Sequence, residues 1–163
     1  MPDTEHILVA LVEDKPGVLT RVASLFRRRG FNIQSLAVGH SEQPGLSRMT
    51  VVVNGDSTIV EQVRKQLDKL INIIRVSDIG EGAIVARELS LMKVKATATT
   101  RSEIIQIVDI FRANIVDVAS DSVTVEVTGD ENKINSLFEL LRGFGIKEMA
   151  RTGRVALTRG GVS

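Results

Sequence analysis

From Ile7 to Val12 the chain is unbroken aliphatic, with no polar alternate positions, which is the pattern of a strand covered on both faces. Asp14-Lys15-Pro16-Gly17 interrupts it with turn chemistry. Leu19, Val22, Ala23 and Phe26 then recur at helical spacing, and Gly30 supplies a C-terminal stop. Asn32 to Gly39 reads as a second strand, Ser41 to Gly45 as a polar loop, and Ser47 to Val53 as a third strand closed by Asn54-Gly55. A second helix presents Val60, Val63, Leu67 and Leu70 on one face, with a Thr58/Glu61 capping box at its start. Ile73 to Ile79 is a fourth strand. The order β-α-β-β-α-β within about 80 residues is the split βαβ arrangement.

Gly80-Glu81-Gly82 reads as a short hinge, after which the order repeats. Leu89 to Ala96 is strand-like, and Thr100-Arg101-Ser102-Glu103 predicts a second capping box. A helix follows with the stripe Ile104, Ile105, Val108 and Phe111. Ile115 to Ala119 and Val123 to Thr128 form strands around Asp121-Ser122. Asp130 opens a helix carrying Ile134, Leu137, Phe138 and Leu141, and Ile146 to Leu157 is mostly extended. The expected fold class is α+β, with two ferredoxin-like βαββαβ domains over residues 1–80 and 83–163. Val53-Asn54-Gly55-Asp56 matches Val127-Thr128-Gly129-Asp130, and Phe26-Arg27 with Asn32-Ile33 is echoed by Phe111-Arg112 with Asn114-Ile115. Duplication and convergent turn chemistry both account for matches this short. Domains of about 60–80 residues bury only about 60% of their unfolded surface, so packing between protomers is expected.

Composition narrows the functional classes. The 163 residues are 43% hydrophobic and 25% charged, the balance of a folded soluble protein. Lys and Arg total 21 against 20 acidic residues, so no polyanion-attracting field is expected. With no Trp or Tyr and five Phe, few side chains could stack on bases, and the chain is not expected to bind nucleic acid. The absence of cysteine removes disulfides, thiolate metal sites and thiol nucleophiles, and fits a reducing compartment. The acidic opening Met1 to His6 predicts no signal peptide. The longest apolar run is too short for a bilayer, giving the expectation of a cytoplasmic protein with no membrane association.

The segment with the most chemical potential is Asp14-Lys15-Pro16-Gly17-Val18-Leu19, between strand and helix. Pro16 fixes φ near the helix start, and Gly17 allows close backbone approach. The amides of Gly17, Val18 and Leu19 are the unpaired donors of a helix N-terminus, suited to a carboxylate. Asp14 could accept from an ammonium group, so the pair would hold both ends of an amino acid. Equally, Asp14 could simply cap the helix.

A D-x-P-G-V-L segment after a first strand, with an Asn-Ile pair opening the second, resembles the ACT domain, an amino-acid-binding βαββαβ module. Arg29-Gly30-Phe31-Asn32-Ile33-Gln34-Ser35-Leu36, Leu46-Ser47-Arg48-Met49-Thr50 and Gln66-Leu67-Asp68-Lys69-Leu70 narrow the resemblance to the regulatory subunit of acetohydroxyacid synthase (acetolactate synthase). Phe111-Arg112, Ile115-Val116-Asp117-Val118, Ala150-Arg151-Thr152-Gly153 and Thr158-Arg159-Gly160 extend it to the whole chain. The resemblance implies a homodimer that binds a branched-chain amino acid, usually valine, where two ACT domains meet. The Asp14, Gly17, Val18 and Leu19 turn of one protomer would hold the ligand with Asn32 and Ile33 of the partner subunit. Asp14 stands where many relatives carry Asn, placing a negative charge beside the ligand. The resemblance further implies a non-catalytic subunit that activates a catalytic subunit and confers feedback inhibition. Thiamine diphosphate, FAD and Mg²⁺ are expected in that catalytic subunit and no cofactor here.

The remaining polar residues read more plainly. Arg27-Arg28-Arg29 suits a helix C-terminus. Arg48, within a strand, fits either a partner-subunit contact or a buried ion pair. His6 and His40 lack a second ligand at metal spacing, so no metal site is expected. No catalytic triad order, Walker loop or paired-carboxylate signature is present. The alternatives from other classes are an RNA-binding βαββαβ domain, which lacks its aromatic strand motif here, and a small acylphosphatase-like enzyme, whose phosphate loop and Arg/Asn pair are not found.

Overall fold

The computed structural model of the chain describes residues 4–80 and 82–160. The first unit is built from β1 (Thr4–Glu13), α1 (Val18–Arg28), β2 (Ile33–His40), β3 (Leu46–Gly55), α2 (Ser57–Asp68) and β4 (Ile73–Asp78). Its four strands form an antiparallel sheet in the order β2-β3-β1-β4. Strand side chains alternate between faces. One parity (Leu8, Ala10, Val12, Met49, Val51, Val53 and Val76) packs against Val18, Val22, Leu25 and Phe26 of α1 and Val60, Val63 and Leu67 of α2. The other parity is buried in part: Ile7, Val9, Thr50 and Val52 are buried, while Leu11 and Arg48 are half-buried and Arg75 is exposed. Burial on both faces explains why β1 shows no polar alternation.

The second unit contains β5 (Ile84–Lys95), α3 (Arg101–Ile110), β6 (Asn114–Val118), β7 (Ser122–Gly129), α4 (Glu131–Arg142) and β8 (Ile146–Arg151). Its strand order, β6-β7-β5-β8, repeats that of the first. The irregularities repeat as well. The β1/β4 register shifts at Leu11/Val12 and the β5/β8 register at Lys93/Val94. Likewise β2/β3 shifts between Ile33 and Ser35, and β6/β7 between Ile115 and Asp117. One constant offset along the chain relates all of these positions, and the same offset relates Gly30 (φ 76°) to Arg112 (φ 53°), both left-handed after a helix. Common bulges at a common offset support duplication beyond shared turn residues. They also correct the sequence echo of Phe26-Arg27 with Phe111-Arg112. In the folded chain Phe111 and Arg112 correspond to Arg29 and Gly30, and Phe26 corresponds to buried Val108.

Helix starts divide into those read correctly and those not. Asp130 caps α4, its carboxylate accepting from the Lys133 amide at 2.8 Å. Neither capping box forms. Asp56 caps α2 by accepting from Thr58 N at 2.8 Å, so the helix begins at Ser57 and Glu61 lies too deep to reach back. Glu61 instead pairs with Arg64 at 2.6 Å. The Thr100 hydroxyl accepts from Thr97 N at 2.9 Å and makes no cap to α3.

By contacts, the described residues divide into 4–80 and 82–85 with 153–160, and 86–152, beside the expected domains of 1–80 and 83–163. The strand β9 (Val155–Thr158) pairs with β5, and Arg159 N donates to Ala83 O at 2.8 Å. On the face of the first sheet, Arg154 N donates to Ser35 Oγ at 2.6 Å and its guanidinium pairs with Glu5 at 2.8 Å. Arg48 Nη2 donates to Ala156 O at 2.8 Å. Gly153 passes so close to β2 that a Cβ there would collide with the Leu36 backbone. Of the expected hinge Gly80-Glu81-Gly82, Glu81 lies outside the described residues, as do Met1 to Asp3 and Gly161.

Gly153→Ala should therefore destabilise the first unit by about 1–3 kcal/mol, the usual cost of forcing atoms into a filled site. Gly143, exposed and in helical conformation after α4, is the control, where alanine should be neutral or stabilising. Calorimetric unfolding of both variants checks this. Equal effects at the two glycines would show that the tail does not depend on close approach to β2.

Candidate functional site

After β1 the backbone turns sharply. Asp14 N donates to Gly45 O at 2.9 Å and Lys15 N to Glu13 O at 2.9 Å. Gly17 follows with φ 85° and ψ −9°, a left-handed conformation that other L-residues adopt only with strain, and it forms the N-cap of α1. No side chain caps this helix and its first turn holds no acidic residue. The Gly17 and Leu19 amides have no backbone acceptor among the described residues, and Val18 N reaches Lys15 O only at 3.4 Å. A Cβ built on Gly17 meets nothing within 4 Å, so the space before these donors is open. Donors facing open space at the positive end of a helix dipole suit a carboxylate. Val18 contributes only its amide, since its side chain is buried in the core, whereas Leu19 is 44% exposed.

Charges around the turn sort themselves by geometry. Lys15 pairs with Glu13 at 2.8 Å, and this hydrogen bond, aided by Asn72, holds the Glu13 carboxyl below its ordinary range. Asp14 does not cap α1, so that reading is set aside. Its half-exposed carboxylate faces His40 Nδ1 at 3.4 Å. The sequence carried no signal for His40 here. It arrives because β2 ends where β1 ends, through the pairings His40–Ser47 and Glu13–Leu46.

Asn32 and Ile33 are not brought to this turn. Ile33 pairs with Val53, which pairs with His6, seven positions before Glu13 on β1. At the rise of an extended strand that is about 23 Å. Asn32 is exposed, and half-buried Ile33 packs on the core at the far end of the sheet. Within one chain the six ligand-binding candidates thus form two separate groups.

Arg48 points to the second face of the sheet and spends one donor on the Ala156 carbonyl, not on an acidic partner. His6 is buried, with Nδ1 2.7 Å from Asp78 and Nε2 2.9 Å from the Thr4 hydroxyl. No group of three or more metal-ligating side chains exists among the described residues. Among the described residues no helix is long and apolar enough to cross a membrane. In the second unit the turn matching Gly17 is closed by its own side chains. Thr97, Thr99 and Thr100 bond one another, and Arg101 donates to Ala119 O and Ser120 O.

Comparison with known proteins finds two family models matching along the chain. Residues 8–75 match the model of the AHAS small subunit-like ACT domain, and residues 87–160 that of the small subunit of acetolactate synthase. The chain is 59% identical over 160 residues to the probable acetolactate synthase small subunit of Methanothermobacter thermautotrophicus, covering 98% of this chain and 95% of that one. It is 54% identical to the acetolactate synthase small subunit of Mycolicibacterium smegmatis, covering 95% and 91%. The crystal structure of the acetolactate synthase small subunit from Thermotoga maritima superposes with a TM-score of 0.90 at 43% identity, over 98% of this chain and 99% of that one. A chain so similar along nearly its whole length belongs to the family of small, regulatory subunits of acetolactate synthase, and its first half is an ACT domain.

Proposed function

We propose that this chain activates the catalytic subunit of acetolactate synthase and confers feedback inhibition by valine, bound between two ACT domains of a homodimer. The observation that carries the reading is the separation of about 23 Å between the Gly17 turn and Asn32. A second copy joins the two groups through strand β2, which lies at the edge of its sheet with one row of backbone groups unpaired. A two-fold axis between Leu36 and Ala37 would set Ile33 of the partner subunit opposite His40. His40 already meets Asp14, so Asn32 of the partner subunit comes to the same turn. Helix donors then take the ligand carboxylate, Asp14 the ammonium, and Asn32 of the partner subunit supplies both a donor and an acceptor.

Chemistry on 2-keto acids, with thiamine diphosphate, FAD and Mg²⁺, is assigned to the catalytic subunit, in the cytoplasm. Valine binding controls it by favouring one of two arrangements of the regulatory dimer, since a ligand shifts an equilibrium only by its differential affinity.

Sedimentation at micromolar concentration should give a dimer. A stable monomer that still binds valine overturns the shared site. Gly17→Asp should abolish the valine response of the reconstituted enzyme while leaving activation intact. Like charges about 4 Å apart cost on the order of 1–4 kcal/mol between aqueous and protein-surface dielectrics, or about one to three decades of affinity. Gly17→Asn separates charge from strain, because Asn tolerates the left-handed conformation, and should keep much of the response. An unchanged valine dose-response in Gly17→Asp sinks the placement.

A further inference from the structure

The second face of the ACT sheet holds a cavity of about 520 Å³, within the range of small-molecule sites. It is lined entirely by residues of the first unit and lies on the opposite parity from the helix-covered core. Its floor is set by register. Leu11 of the central strand pairs with Arg48 on one side and Arg75 on the other. The two arginines therefore stand on one face with a leucine between them, their Cα atoms about 10 Å apart across two strand spacings. In the next row Val9 is flanked by Thr50 and Ser77, and Leu157 of β9 forms part of the wall.

The charges of this cavity are unbalanced in use. Arg48 spends one donor on the Ala156 carbonyl, and a guanidinium has five. The Arg75 side chain makes no hydrogen bond or ion pair among the described residues. Of the two acids in the lining, Asp78 is committed through both oxygens, to His6 Nδ1 and to Gly80 N. Only Glu42, exposed on the β2–β3 loop, stays open. Two arginines lining one cavity on either side of an apolar floor fit a carboxylate that carries an aliphatic body.

We propose that this cavity is a second ligand site, within a single protomer, for a small aliphatic carboxylate clamped by Arg75 and Arg48 over Leu11 and Val9. The site is independent of the Gly17 turn, which lies beyond the end of β1 and shares no residue with it. Because Arg48 also holds Ala156, occupancy acts on the anchor of the C-terminal strand. An α-amino acid and an acid without an ammonium group share this chemistry, and Glu42 is the only lining acid free to tell them apart.

The test is a titration of the full-length chain followed by amide NMR, with 4-methylpentanoate as probe and leucine as the arm bearing an ammonium group. Saturable shifts are expected at Leu11, Arg75, Ser77 and Leu157, and any response of Gly17 to Thr20 to the same carboxylate should be unchanged by Arg75→Gln. Arg75→Gln, at an exposed position without a partner, should fold normally and weaken 4-methylpentanoate by about tenfold or more, the loss of a charge-assisted bond. Tighter binding of leucine than of 4-methylpentanoate at the same amides assigns an amino acid, and weaker binding an acid without the ammonium. The proposal is overturned if neither probe saturates these amides at millimolar concentration, or if Arg75→Gln binds 4-methylpentanoate as the wild type does.

Discussion

The structure depends on one constraint, that strand β1 lies in the middle of a sheet with apolar side chains to bury on both faces. Antiparallel sheets can leave one face to water, but Ile7, Val9, Thr50 and Val52 rule that out here. Each large aliphatic side chain buried is worth about 1.5–3 kcal/mol, so an open second face would cost a small domain much of its stability. The two helices of the unit pack on one face, and the other needs cover from elsewhere in the chain. The C-terminal segment does so, fixed by a close-approach glycine and by backbone bonds to Ser35 and Arg48. The two units are thereby interleaved in sequence although each repeats the same topology.

The repeat makes the local differences informative. Both units keep strand order and bulges, so the frame is common and the turns are where they part. In the first, a left-handed glycine leaves helix donors facing open space. In the second, three threonines and Arg101 consume the polar groups of the corresponding turn. Satisfied polar groups have little to offer a ligand, since binding must replace bonds already made. The second turn is closed by chemistry even though its backbone scaffold is shared.

What was legible in the sequence was what depends on periodicity or on a single turn residue. The two βαββαβ units, the Gly30 stop and the Asp130 cap follow from such signals. Competition between neighbours was not legible. Asp56 wins the cap of α2 from Thr58 because it stands ahead of the helix and offers a carboxylate, and Glu61 is then captured by Arg64. Long-range pairings were hidden for a different reason. The meeting of Asp14 with His40, the bond from Arg48 to Ala156 and the Leu11 row between two arginines are products of register. No local pattern encodes which residues of three strands become neighbours.

The same register explains why a helix N-terminus as common as this one can become selective. Donors at the start of α1 attract any small anion, and nothing within one chain restricts the choice further, because Asn32 and Ile33 stand at the far end of the sheet. In the proposed homodimer, a site finished only by a second protomer would tie ligand binding to the geometry of the dimer. Pocket walls and subunit pairing would then depend on the same edge strand, β2. That strand also carries Ser35 and Leu36, the residues against which the C-terminal segment packs. The β2 edge thus adjoins the segment that reaches the sheet's second face, where the cavity between Arg48 and Arg75 lies beside the point at which the tail is held.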